Sequence, residues 1–230
     1  MKLAYAAVAA LMLPLAANAA TITVEDFDSS AYTAAVGAGT FVGEDFEAAG
    51  GALGEGEVGT GFMTAVGIFN TLGGQGSGGT VSQLPGNTGE QLALRDGNVY
   101  GRTDQVGGTW FLDSNDTYGM GWYVNTGSMF NTIMFVLTDH SEYSTLTVTA
   151  DGMSQDIARQ AGSSSDLVTV TFDGLVSAAY VQMQQARNDG FSIDGAQVGI
   201  APVPLPAAGL MLLAGLGGMA AMRRFKRDDA

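Results

Sequence analysis

The chain has no cysteine among its 230 residues, one histidine, and only nine lysines and arginines. Without cysteine there is no disulfide, no thiolate metal site and no cysteine nucleophile. One histidine excludes a histidine metal cluster. A serine triad would need His140 together with a serine such as Ser141 or Ser144. His140 stands in Asp139-His140-Ser141-Glu142, after an apolar run, and reads as a solvated loop histidine. Between residues 20 and 206 the shortage of cations is sharper. Arg95, Arg102, Arg159 and Arg187 are the only basic residues there, against twenty-one carboxylates, a net charge near −17. Such a surface repels nucleic acid and anionic lipid headgroups, and favours solvation or divalent cations. No long helical period lies between the two ends, and no repeat at about twenty to fifty residues is convincing.

The long apolar runs are at the termini. At the N-terminus Lys2 is followed by an apolar stretch from Leu3 to Leu15 and by Ala17-Asn18-Ala19, small residues with the A-x-A spacing of a signal-peptide cleavage site. Residues 1–19 are therefore expected to be a signal peptide, cut between Ala19 and Ala20, which implies Sec-type export machinery and signal peptidase as partners. At the C-terminus Val203-Pro204-Leu205-Pro206-Ala207 precedes an apolar run from Ala208 to Met222, and Arg223, Arg224, Lys226 and Arg227 follow it. As a helix the fifteen-residue run is about 22 Å long at roughly 1.5 Å per residue, short of a hydrocarbon core about 30 Å thick. Leu205 to Ala207 extend it at one end, and the long arms of Arg223 and Arg224 snorkel at the other. Residues 208–222 are expected to form a single transmembrane helix. The basic stop over 223–230 then lies in the cytoplasm by the positive-inside rule.

Those three parts, in that order, resemble the PEP-CTERM class of C-terminal sorting domains, in the variant whose motif reads Val-Pro-Leu-Pro-Ala. The resemblance covers about a tenth of the chain and is silent about the rest. It implies a Gram-negative bacterium, an inner-membrane intermediate held by the tail, and processing by an exosortase-type membrane protease. It further implies delivery to the cell surface or the extracellular space, where proteins of this class are linked to exopolysaccharide and biofilm.

The body, residues 20–200, carries a β pattern, and residues 201–207 are left for the sorting motif. Thr145 to Ala150 alternates strictly, with Leu146, Val148 and Ala150 on one face; Val168, Val170 and Phe172 repeat the pattern. Ile133 to Leu137 is apolar throughout, as suits a central strand covered on both faces. Further strands are expected at Phe41–Phe46, Gly61–Asn70, Gln91–Leu94, Thr109–Leu112, Met120–Val124, Ala179–Gln184 and Phe191–Ile200. Ala48 to Gly61 and Leu72 to Gly89 read as long mobile loops. The fold class that follows is all-β: an antiparallel sandwich, jelly-roll-like.

Calcium is the candidate cofactor, because turn carboxylates, amides and hydroxyls are its hard donors. The candidate ligands are Glu25 and Asp26, with Asp28 beside them; Asp113, Asn115 and Asp116, with Ser114; and Asp189 and Asp194 in the segment Asp189 to Gly195. In a strand Phe191 and Ile193 would point inward and Ser192 and Asp194 outward. This segment resembles the terminal strand of carbohydrate-binding-module-like sandwiches, which implies that acids near the first and last strands share a structural calcium. Among the aromatics, Trp110-Phe111 and Trp122-Tyr123 each place one ring inward and one outward; with Tyr100 and Tyr118 they are candidates for a sugar-stacking platform.

Three functions follow from these features. The first is a non-enzymatic surface or matrix protein, the second a calcium-stabilised carbohydrate-binding module, and the third a carboxylate-dependent hydrolase. No catalytic residue is assigned. N-terminal sequencing of the exported protein is expected to return Ala20; Met1 would exclude cleavage.

Overall fold

The computed structural model describes residues 20–73, 88–103, 105–115, 117–140, 145–157, 164–185 and 190–202. The sorting motif, the apolar run, the basic stop, Ala17, Ala19, Asp116 and Asp189 lie outside the described residues. So does most of the expected loop after Leu72.

The described residues up to Ile200 build two antiparallel sheets. The larger contains, in spatial order, β1 (Ala20–Asp26), β14 (Ser165–Val176), β11 (Phe130–Thr138), β16 (Ser192–Ile200), β9 (Trp110–Asp113), β6 (Ala93–Asp96) and β3 (Gly56–Glu57). An eighth strand, β2 (Thr40–Glu44), pairs with the second half of β16, while β9 pairs with its first two residues. The smaller sheet runs β13 (Met153–Ile157), β12 (Leu146–Ala150), β15 (Ala179–Gln185), β10 (Gly119–Val124), β5 (Gly67–Thr71) and β4 (Phe62–Thr64). A short hairpin, β7 (Asn98–Val99) with β8 (Arg102–Thr103), stands apart from both.

The sheets face each other across one apolar core, as a sandwich does. Val168, Val170 and Phe172 supply it from β14, Phe135 and Leu137 from β11, and Leu146, Val148 and Ala150 from β12, so the alternation in the sequence is the alternation of faces. A file of rings ties the layers together. Phe69 stacks on Trp122 at 4.9 Å between centroids, and Trp122 meets Phe135 edge-on at 5.9 Å across the sheets. The indole N–H of Trp122 donates to the Val66 carbonyl at 3.2 Å, so the ring's one polar atom is satisfied in the core.

All nine residues of β11 are buried. Its inner side packs in the core. On the outer side of the neighbouring strand β16, Gln105 and Val106, just after β8, and Tyr32 of α1 (Ser29–Ala38) lie against Asp194 and Gly195. Neither helix of the body was expected. The first, α1, buries only Tyr32, and its start is fixed by Asp28, whose carboxylate accepts the Ala31 N–H at 2.8 Å. The second, α2 (Glu47–Leu53), lies with β3 where a loop was read. Gly50 takes Trp110 there so closely that an added Cβ would sit 2.0 Å from the indole.

At Asp194 and Gly195, β16 carries one extra residue: Met134 of β11 is opposite Gln197, and Val136 opposite Asp194. Gly195 is at φ 54 in this bulge, a conformation glycine adopts at little cost.

Trp122 is fully buried and bridges the layers. Trp122→Ala is expected to lower unfolding free energy by about 3–5 kcal/mol in chemical denaturation, with the β-sheet signal retained in the folded baseline.

Candidate functional site

The acidic candidates are brought to two separate places. Glu25 and Asp26 are exposed on the edge strand β1. Asp194 lies on β16, three strands away across β14 and β11, about 14 Å at the usual strand spacing. Acids of the first and last strands therefore do not meet. Among the described residues no three of the histidines, aspartates and glutamates stand close enough together to hold a metal ion.

Ser192 and Asp194 do point away from the core, but both are buried to within 1% exposure, Asp194 beneath Gln105 and Val106. Asp194 is an anchor for that segment. Its Oδ2 accepts the N–H groups of Gln105 and Val106 at 2.8 and 2.7 Å, and Oδ1 accepts that of Gly195 at 2.6 Å. Tyr32 donates its hydroxyl to the Gly195 carbonyl at 2.8 Å. Asp113 is buried as well, its Oδ2 forming an ion pair with Arg102 Nε at 3.3 Å and its Oδ1 accepting the Asn115 N–H at 2.7 Å. Asn115 donates its amide to the Gln91 carbonyl at 3.1 Å. Asp28 is the cap of α1; the Ser30 hydroxyl and the Ala31 N–H hold its carboxyl below the usual range.

Three further glutamates act in the same way. Glu44 Oε1 accepts from Phe46 N–H, Glu47 Oε1 from Thr109 and Trp110, and Glu57 Oε1 from Thr88 and Gly89. In a body so poor in cations, backbone N–H groups take the place that lysine and arginine would fill. A carboxylate held by two or three such donors is well satisfied.

His140 departs from the solvated loop reading. It is wholly buried, with Nε2 2.8 Å from Asp166 Oδ2. The reason is parity: Asp166 shares the inner face of β14 with Val168 and Val170, and the turn at Asp139, φ 53, folds His140 beneath it. Above Asp166 a cleft of about 240 Å³ opens between the edges β1 and β13, lined also by Glu25, Asp26 and Asp156.

The aromatic candidates sort differently from one another. Trp122 is inside and Tyr123 outside, as alternation requires. Neither member of the Trp110-Phe111 pair reaches solvent fully: Phe111 is buried and Trp110 is packed against Gly50. Tyr100 and Tyr118 are exposed, in the β7–β8 hairpin and before β10 respectively. The outer face of the smaller sheet holds the clearest arrangement. Its first row runs Met63, Ile68, Tyr123, Tyr180 across β4, β5, β10 and β15, each directly opposite the next. Tyr123 and Tyr180 are each about half exposed. A second row runs Asn70, Gly121, Gln182, Thr149, Ser154, and a third Gly119, Gln184, Thr147, Asp156. Tyr180 was missed in the sequence because nothing local reveals that β15 lies beside β10.

No family model and no curated protein matches this chain.

Burial, reinforced by the charges of Asp194 and Asp45, pushes the Tyr32 hydroxyl up to about 12 from 10.0. Below pH 10 the residue is neutral in both states. Between about pH 10 and 12 the unfolded chain releases this proton and the folded chain does not, so stability falls across that window. Tyr32→Phe is therefore expected to lose less stability than the parent between about pH 10 and 12, measured by denaturant unfolding at each pH.

Proposed function

We propose that this chain is an exported, non-enzymatic cell-surface or extracellular-matrix protein. Its N-terminal segment is a cleaved signal peptide and its tail a processed sorting signal, acted on in an inner-membrane intermediate by an exosortase-type protease. The observation that carries this reading is the Val203-to-Ala207 motif followed by an apolar run and a basic stop. The body is compatible with both events. Ala20 is in register with Phe172, so a chain cut before it keeps the whole described β1–β14 ladder. The last strand, β16, ends at Ile200, which leaves Ala201 and Pro202 between the sandwich and the motif.

Jelly-roll-like topology belongs to the same proposal. It is supported by the way consecutive strands change sheet: β9, β11, β14 and β16 lie in the larger, and β10, β12, β13 and β15 in the smaller.

Proline lacks the backbone donor a helix needs and keeps the preceding residue extended, so Pro204 and Pro206 hold the motif open to a protease just outside the membrane. Replacing both with Ala is expected to leave insertion intact while slowing removal of the tail. Intact mass of the protein recovered separately from membranes and from culture medium reads both outcomes. Normal processing of the double variant would show that the motif has no part in cleavage.

A further inference from the structure

We propose that the outer face of the smaller sheet, centred on Tyr123 and Tyr180, is a binding site for an uncharged polysaccharide chain. This goes beyond the sorting proposal and is independent of it, since it concerns only the body.

The two tyrosines are direct cross-strand partners, half exposed, on adjacent strands. Adjacent strands lie about 4.8 Å apart, close to the advance of one hexose along an extended glycan, so successive sugars of one chain can meet successive rings. Ring attitude supports the same use. A Cβ built on Gly121 would lie 2.1 Å from the Tyr180 hydroxyl oxygen and 2.9 Å from its Cζ, so the ring lies across the glycine, along the sheet. Tyr180 thereby lies along the sheet with half of its surface open to solvent, and the C–H face of a pyranose stacks on an aromatic ring laid out in this way.

Beside the rings stand groups that both donate and accept, as sugar hydroxyls do. Gln182 donates to Gln184 at 2.6 Å, and the Thr149 and Ser154 hydroxyls share a hydrogen bond of 2.9 Å. Asn70 closes the row on the other side of Gly121. Such amides and hydroxyls retain unused donor and acceptor capacity after these bonds are made.

Charge decides which glycan. The three rows hold no lysine or arginine and one carboxylate, Asp156, at the far edge. On a body of net charge near −17 an anionic polysaccharide is repelled, and among the described residues these rows offer no cation to receive it. A neutral chain meets neither obstacle.

The test is affinity electrophoresis of the purified chain through gels containing hydroxyethylcellulose, glucomannan or dextran, with alginate as the anionic counterpart. Retardation by at least one neutral polymer and none by alginate is expected. Tyr123→Ala and Tyr180→Ala should each weaken binding about tenfold or more, with melting unchanged because both side chains are half exposed. Tyr180→Phe should keep most of the binding, which separates stacking from hydrogen bonding by the hydroxyl. Gly121→Ala should weaken binding while leaving Tyr123 in place. Three results overturn the proposal: no retardation by any neutral polymer, retardation indifferent to both tyrosine variants, or retardation by alginate alone. A dimer of the parent chain in gel filtration that Tyr123→Ala dissolves would also overturn it, by assigning the face to a second copy of the chain.

Discussion

The seating of Trp122 between the two sheets is the contact on which the rest depends. Its ring stacks on Phe69, meets Phe135 of the opposite sheet, and has its one polar atom satisfied by the Val66 carbonyl. With Trp122 held inward, the pleat sends Tyr123 outward, and the register with β15 brings Tyr180 beside it. A slip of one residue would reverse both, placing a phenol hydroxyl in the core and an indole in water. The exposed ring pair and the buried ring file are two sides of one strand.

Acidic side chains are the second element of the architecture. With no disulfide and few cations, the connections are held by carboxylates that gather backbone N–H groups. Asp194 holds the segment at Gln105 and Val106, Glu47 the entry to β9, and Glu57 the loop at Thr88 and Gly89. Each of these bonds joins segments far apart in sequence and is charge-assisted, so it counts for more than an ordinary turn contact. The acidity of the chain is thus partly internal scaffolding as well as surface charge.

The strands were legible where one face is buried and the other is not. Thr145 to Ala150 and Val168 to Phe172 show the alternation, and the all-apolar run of β11 announced a strand covered on both sides. The two helices were not legible. Ser29 to Ala38 has no apolar stripe because only Tyr32 is buried, and α2 is seven residues rich in glycine and alanine, so neither carries a helical period. The edge strands β1 and β13 present mostly polar exposed residues and lack a core face strong enough to read. His140 and the acidic turns misled for a single reason. A polar stretch after a strand ordinarily meets water, whereas here the neighbouring segments, invisible in the local sequence, close over it. Of the ring pair, Tyr123 was half legible from its neighbour Trp122; Tyr180 depended on a pairing across more than fifty residues of chain.

The strand that ends the body, β16, is fourth along the path of an eight-stranded sheet, and it is the piece to which β11, β9 and β2 all attach. A sheet whose central member is made last cannot close progressively as the chain appears, and its long-range pairings carry a large loop-closure cost until that member arrives. Until Ile200 is made, β11, β9 and β2 lack the neighbour they share, so strand order makes completion of the larger sheet wait for the last strand of the body.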